Sequence, residues 1–457
     1  MVELMRSSDA FTWQMEREPG LRSTVVTIFM LDRSPDWDDL LGRFARLSAT
    51  VPMFHQRVVE SVAPTPPRWE ADPDFDMDFH VHRVVAPAPG TFDHVLEMAR
   101  QASMADFDRG RPLWDFTLVE GLADGGAALL CKLHHSLTDG VGGVEIAMAL
   151  FDIAREGTDR GPVPDVPAAS PPPVLQGLRQ WVRYVAWLAG STARGLVSKG
   201  PRAAYTAVRR PLNNARAAVE TAASVYRTVK PISRTGSPLM TERGLARRLG
   251  VHEVPLAAMK AAAKSHDGSV NDAFLAAVTG GLRLYHERHG AELRKLHVAM
   301  PVSLRADGDE MGGNRITLAR FDLAANTVEA GNRIREARSR AGSVRSEKYL
   351  PYIQLIAGVL NLMPRWYIAS ILRNVDVLAS DVPGIPVPVF IGGAEVTMHY
   401  AFGPTVGAGV NVTLMSYADT CVLGINADGG AIPDFDAFHE CLVAGFDEVL
   451  ALAPVTA

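Results

Sequence analysis

Residues 127–143, AALLCKLHHSLTDGVGG, constrain this chain more than any other stretch. They join an apolar run to two adjacent histidines, a short polar turn and a glycine-rich segment. Residues 127–135 are apolar, short and closed by a turn, which is the pattern of a mostly buried strand. Side chains alternate along a strand, so His135 shares a face with Leu133, Cys131 and Leu129, while His134 faces the other way with Lys132. Two neighbouring strand histidines are badly placed to ligate one metal. The alternation instead puts one into structure and presents the other to a cavity. Residues 144–155 read as a helix, which sets Asp139 and Gly140 near its N-terminus. Glycines let backbone approach closely there, and Asp139 can accept hydrogen bonds from the free amides of the helix.

A histidine of ordinary pKa, about 6.5, can take a proton from a hydroxyl near neutral pH. One reading of the pair is therefore a general base. The competing reading is two satisfied core histidines, and the local geometry leaves both open.

HHSLTDG matches the HHxxxDG motif of the coenzyme-A-dependent acyltransferase superfamily, which includes chloramphenicol acetyltransferase and peptide-synthetase condensation domains. Arg111-Pro112-Leu113-Trp114 resembles the PLW motif of one branch, the bacterial wax ester synthase/diacylglycerol acyltransferase family. Further matches follow in the family's order. Ser8-Asp9-Ala10-Phe11, a plausible helix start with Ser8 or Asp9 as cap, resembles the family's opening motif beside the active-site channel. Asn271-Asp272 resembles its Asn-Asp motif, and either residue is well placed as an N-cap. Pro301-Val302-Ser303-Leu304-Arg305 and Gly313-Asn314 match its PVSxR and GN patterns, with Arg305 read as a structural ion-pair partner. Ser380-Asp381-Val382-Pro383-Gly384 resembles SNVPG, with Asp381 where asparagine is usual, so no hydrogen-bond role is carried to position 381.

The resemblance runs from Ser8 to about Leu450 and is weakest over residues 156–240. It implies a mixed αβ (α+β) fold of two chloramphenicol-acetyltransferase-like domains around a through-going channel, joined by a helical crossover. The expected divisions are 1–155 with the HHxxxDG motif, 156–240 as Pro-rich linker and basic crossover, and 241–457 as the second domain. It implies transfer of a long-chain acyl group from acyl-CoA to diacylglycerol or to a long-chain alcohol, by direct attack without an acyl-enzyme. His135 would be the general base, Asp139 would fix the turn, and His134 would hold local structure. Gly140, Asn271, Trp114 and Ser303 are the expected substrate-side residues, with Trp114 as a shaped wall. Acyl-CoA is a co-substrate, and neither a cofactor nor a metal is expected. Rival readings are an acyltransferase esterifying a polyketide or glycolipid alcohol, or a catalytically dead lipid-surface protein. The intact His135 and Asp139 argue against the second.

Composition narrows the setting. The formal net charge is −5 and charged residues are 21%, so the whole chain is not built for nucleic acid. Cys131, Cys421 and Cys441 are too few and scattered for a disulfide framework, which fits a reduced cytosolic setting. No uncharged stretch reaches the roughly 20 apolar residues of a membrane span, and residues 1–8 do not read as a signal peptide. The unusual region is 174–234, where eleven Lys and Arg residues stand against the single acidic Glu220. Trp181, Tyr184 and Trp187 interleave with its first arginines at helical spacing. That pattern suggests a helix lying on an anionic membrane or lipid-droplet surface, with a crossover packed on the body as the plainer alternative. The expected location is cytoplasmic and peripheral, on the inner membrane or on lipid droplets, and a homodimer is compatible with all of this.

Overall fold

The structure, a computed structural model, describes residues 3–62, 65–165, 182, 225–226, 229–303, 313–314, 316–345, 353–361 and 363–454. In the N-terminal half the chain runs β1 (Glu3–Leu4), α1 (Ser7–Met15), β2 (Thr24–Leu31), α2 (Trp37–Thr50), β3 (Gln56–Val59), β4 (Arg68–Ala71) and α3 (Met77–His80). It continues through β5 (Val81–Val85), α4 (Phe92–Met104), β6 (Trp114–Glu120), β7 (Ala127–His134) and α5 (Gly140–Leu150). The C-terminal half begins with β8 (Arg247–Pro255), α6 (Leu256–Lys264), α7 (Val270–Arg288), β9 (Lys295–Ser303) and β10 (Ile316–Ala324). Then come α8 (Ala330–Arg345), α9 (Ile353–Leu360), α10 (Arg365–Leu372), β11 (Val377–Ile385) and β12 (Phe390–Ile391). The last elements are β13 (Ala394–Phe402), β14 (Val410–Tyr417), β15 (Thr420–Asp428) and α11 (Phe435–Leu450).

Two six-stranded mixed sheets organise these elements, in the orders β12-β13-β2-β7-β6-β5 and β10-β9-β11-β14-β15-β8. This is the two-halved mixed αβ architecture expected from the sequence. The hairpin β6–β7 forms across Ala-Asp-Gly-Gly as its turn chemistry requires. Each half has its own apolar core, and α7, buried along nearly its whole length, is the centre of the second. A division of the chain at residue 241 is not a division of the sheets, because β12 and β13 leave the C-terminal half and pair into the N-terminal sheet beside β2. That exchange brings β13 against β15. Gly424 permits it, since a Cβ there would collide with the Ala401 carbonyl.

Three helices differ at their ends from the sequence expectation. The helix after the histidines starts at Gly140, not 144, because Asp139 caps it and the following glycines are helical. It ends at Leu150, because Asp152 turns away to bond the Phe390 backbone and to pair with Arg43 and Arg160. Neither Ser8 nor Asp9 caps α1: both lie inside its first turn, after Arg6. Neither Asn271 nor Asp272 caps α7. Ser269 does, and Asp272 completes the capping box by accepting from the Ser269 amide at 2.8 Å. Most of the basic, aromatic stretch 174–234 and Arg305 lie outside the described residues. Among the described residues no helix is long and apolar enough to cross a membrane.

Candidate active site

β7 sits between β2 and β6, and the extended pairing carries one residue past its end, where the His135 amide donates to the Ser23 carbonyl at 2.9 Å. The chain then turns within four residues into α5, because the Asp139 carboxylate accepts from the Gly142 amide at 2.9 Å and so caps the helix. Gly140 lets this turn press against β11: a Cβ there would lie 2.8 Å from Val382 Cγ2. The turn with the histidine is thereby set at the junction of the two halves.

Nδ1 of His135 lies 3.0 Å from the Thr138 carbonyl and 3.3 Å from Asn314 Nδ2. A carbonyl only accepts, so the shorter contact assigns the ring hydrogen to Nδ1. The Asn314 amide cannot turn its oxygen to the ring, because Oδ1 accepts from the Ile316 amide at 3.1 Å. Nε2 is therefore the basic nitrogen, and the ring's hydrogen bond to the Thr138 carbonyl does not use it. Burial holds the His135 pKa below the ordinary histidine value, against the opposing pull of its backbone hydrogen bonds and of Asp139. The imidazole is accordingly neutral and ready to accept a proton near pH 7.

His134 faces away, as strand alternation requires. It is fully buried; the Ser136 amide donates to its Nδ1 at 3.1 Å, and Nε2 lies 3.3 Å from Glu16 Oε2. Burial raises the Glu16 pKa, but the bond and charge of His134 and the Ser23 amide overcome it and hold the carboxyl below its usual range. This histidine ties α1 to the ends of β2 and β7, with Nδ1 hydrogen-bonded and Nε2 turned to the Glu16 carboxylate.

Two apolar cavities meet at His135. The first is a trench between the inner face of the N-terminal sheet and α5. Its floor has three rungs: Gly403, Val25 and Leu133; then Ala401, Thr27 and Cys131; then His399 and Phe29. The second cavity lies between α1, α9, α10 and the C-terminal sheet, with Phe11, Met15, Leu360 and Ile368 among its walls. His135, Pro301, Ile316, Ser380 and Gly403 line both.

Of the residues expected at the site, His134, His135, Asp139, Gly140 and Ser303 line the first cavity, with the His134 Nε2 directed to Glu16. Trp114 does not reach it. Its indole is buried in the core, donating from Nε1 to the Phe54 carbonyl at 2.8 Å and stacking on His80 at 4.3 Å, while Phe116 of the same strand face reaches the cavity instead. Asn271 reaches neither cavity: it is buried on the first turn of α7 with Met300 Sδ at 3.8 Å. The residue with a direct contact to the base is Asn314, from the Gly-Asn pair. Its backbone is gripped by α1, where Asp9 Oδ1 accepts from the Asn314 amide at 3.0 Å and Ser8 Oγ donates to its carbonyl at 3.0 Å. Burial raises Asp9 to about 7. The Cys131 thiol in the trench wall is buried, which pushes its pKa far up and leaves it a poor nucleophile. Among the described residues no group of three His, Cys, Asp or Glu side chains is placed to hold a metal.

Comparison with known proteins gives a consistent result. The wax ester synthase/diacylglycerol acyltransferase catalytic domain profile matches residues 5–274, and the C-terminal domain profile of the same family matches residues 312–449. A Mycobacterium tuberculosis protein assigned as a diacylglycerol O-acyltransferase is 36% identical over 443 residues, covering 96% of this chain and 90% of its own length. A second protein of that organism, assigned the same activity, is 28% identical over 414 residues and covers 88% and 85%. Among solved structures, the wax ester synthase/diacylglycerol acyltransferase of Marinobacter aquaeolei VT8 superposes with a TM-score of 0.64 at 21% identity, covering 99% of this chain and 100% of the other. The first condensation domain of the calcium-dependent antibiotic synthetase also superposes with a TM-score of 0.64, at 15% identity and 100% and 98% coverage, so the fold is shared that widely.

Proposed function

The chain belongs to the wax ester synthase/diacylglycerol acyltransferase family and is an acyltransferase, and from that premise we propose that it moves a long-chain acyl group from acyl-CoA to diacylglycerol, with a long-chain alcohol as its second acceptor. One observation carries the reading: the basic nitrogen of a neutral, oriented His135 belongs to the ring at which two apolar cavities meet. One cavity suits each apolar substrate. The trench, roofed along its length by a single helix, takes the acyl chain; the second cavity, framed by three helices, takes the acceptor.

In this mechanism the acceptor hydroxyl gives its proton to His135 Nε2 as its oxygen attacks the thioester carbonyl carbon. The tetrahedral intermediate then collapses, the carbon–sulfur bond breaks, and His135 returns the proton to the departing coenzyme A thiolate. The negative charge on the intermediate needs donors already in place, each worth about 3–4 kcal/mol when preorganised. The Ser380 hydroxyl, in the wall of both cavities, and the N-terminus of α5 are the nearest candidates. Asp139 acts through the turn it caps, and Asn314 holds the edge of the imidazole. Both are positioning residues. Cys131 takes no part, so no acyl-enzyme forms.

The test is thiol release by the purified protein from hexadecanoyl-CoA, with dipalmitoylglycerol or hexadecanol supplied as vesicles. Release with diacylglycerol is expected, with hexadecanol as the weaker acceptor. Absence of release with both overturns the proposal. Residues 174–234 are proposed to hold the enzyme on such vesicles, and co-flotation that survives reversal of Arg179, Arg183 and Arg194 would remove that role.

A further inference from the structure

The first cavity contains one side chain that an apolar tunnel does not need. His399, on β13, is 3% exposed and lines the trench, and its ring stacks on Phe29 at 4.0 Å and 14°. Neither ring nitrogen has a hydrogen-bond partner among the described residues. The other buried histidines, His55, His80, His134 and His286, each hold a protein partner. Buried polar groups in native proteins are paired in the great majority of cases, and leaving one unpaired is costly. With nothing to offset burial, His399 is pushed down to about 3 and is neutral at any physiological pH. It offers one N–H and one lone pair.

Its position along the trench is fixed by register. The His135 amide bonds to Ser23, and His399 pairs with Phe29, six residues further along β2. At the rise of a strand that is roughly 20 Å from the base. The roof helix α5, with eleven residues, spans about 16 Å over the same interval. An acyl chain whose carbonyl sits at His135 would therefore bring its distal carbons to His399.

We propose that the trench is a subsite for an oxygenated acyl chain, and that His399 hydrogen-bonds a hydroxyl near the far end of that chain. The inference rests on the acyl-transfer reading and adds the class of acyl donor to it. A hydroxyl both donates and accepts, so it satisfies whichever ring nitrogen faces the trench. A carboxylate would be buried against a neutral ring and apolar walls with no compensating charge. A plain methyl end still fits the trench, but it leaves the imidazole unpaired.

The experiment compares hexadecanoyl-CoA with ω-hydroxyacyl-CoAs of graded length, with hexadecanol in excess, following coenzyme A release and the hexadecyl ester by mass. Wild type is expected to favour the hydroxylated donor at one chain length by about tenfold in kcat/KM. His399→Phe keeps the stack on Phe29 and should lose that preference while retaining turnover of hexadecanoyl-CoA. His399→Gln keeps a donor and an acceptor and should restore part of it. Equal kcat/KM for both donors at every length, with hexadecanoyl-CoA turned over, overturns the inference alone. A preference that persists in His399→Phe also overturns it. No thiol release from any donor overturns it together with the acyl-transfer reading. If His399→Phe does not fold, the wild-type ratio and the Gln variant still decide.

Discussion

The two sides of β7 carry the same residue type one position apart, under opposite rules. On the α1 side, His134 spends both ring nitrogens on structure, one on the Ser136 amide and one toward Glu16. On the cavity side, His135 spends only Nδ1, on the Thr138 carbonyl, with the Asn314 side chain packed beside that edge of the ring. A buried imidazole is inert when its surroundings use both nitrogens and becomes a base when they use one and leave the other facing substrate space. Burial by itself does not make the base, because the more deeply buried ring, His134, is the inert one. The difference lies in what Nε2 faces, a buried carboxylate for His134 and the two cavities for His135.

Removing the cavity-side ring should show the largest effect. His135→Ala is expected to lower kcat by about 10²–10⁴-fold, the usual worth of general base catalysis, and to lose only the Thr138 hydrogen bond in stability, about 1 kcal/mol. In the wild type, kcat/KM should fall toward acid pH with an apparent pKa below about 6.5. The sign follows from the direction of the shift: burial favours the neutral ring, so the active, unprotonated form persists to lower pH than for a free histidine. Near-normal turnover by His135→Ala, measured as thiol release, would break the contrast at its centre.

The opposite pattern is expected on the other side. His134→Ala leaves the buried Glu16 carboxylate without its ring partner, and breaking a buried pair of this kind costs about 3–5 kcal/mol. Denaturant titration should show that loss, with kcat at saturating substrate down by no more than about tenfold once the folded fraction is corrected for. If His134→Ala instead loses activity as deeply as His135→Ala while its stability is unchanged, the division of labour is wrong.

How much of this could be read in advance depended on whether the physics was local. Alternation along one strand separates the two histidines, and Asp139-Gly140 marks the start of α5, because each reading needs only neighbours in sequence. The cap of α7 lies two residues before Asn271, because Ser269-x-x-Asp272 carries the capping box and either polar residue after it has the same local signature. Trp114 lies in the core and not in the cavity wall, because adjacency to the histidine strand fixes the strand, not how far along it a cavity extends. Asn314 stands 179 residues from His135, and β13 crosses to the other half's sheet. No periodicity announces either contact, since both depend on how separate elements dock. The isolation of His399 is equally invisible in sequence, since it is a property of what surrounds the ring.

The smallest expected effect concerns the arm that steadies His135 from α1. Asp9 is 1% exposed and accepts from the Asn314 amide, and burial raises its pKa from 3.8 to about 7 against the pull of that amide and of Arg6, with Asp139 adding to the rise. A folded pKa above the unfolded one means that the native state holds an extra proton between the two values. Its contribution to stability is therefore complete below about 3.8 and is lost as pH rises through about 7. Asp9→Asn keeps an oxygen for the Asn314 amide and removes the titration. Relative to wild type, the variant should gain melting temperature between pH 5 and pH 8, while kcat/KM at pH 8 stays within about threefold, because the amide still holds the loop that carries Asn314. Parallel melting curves across that pH range would show that Asp9 does not titrate there. A drop in kcat/KM of a hundredfold would show that the carboxylate serves His135 more directly than through the Asn314 backbone, and would extend the contrast between the two histidines to a second charged partner on the cavity side.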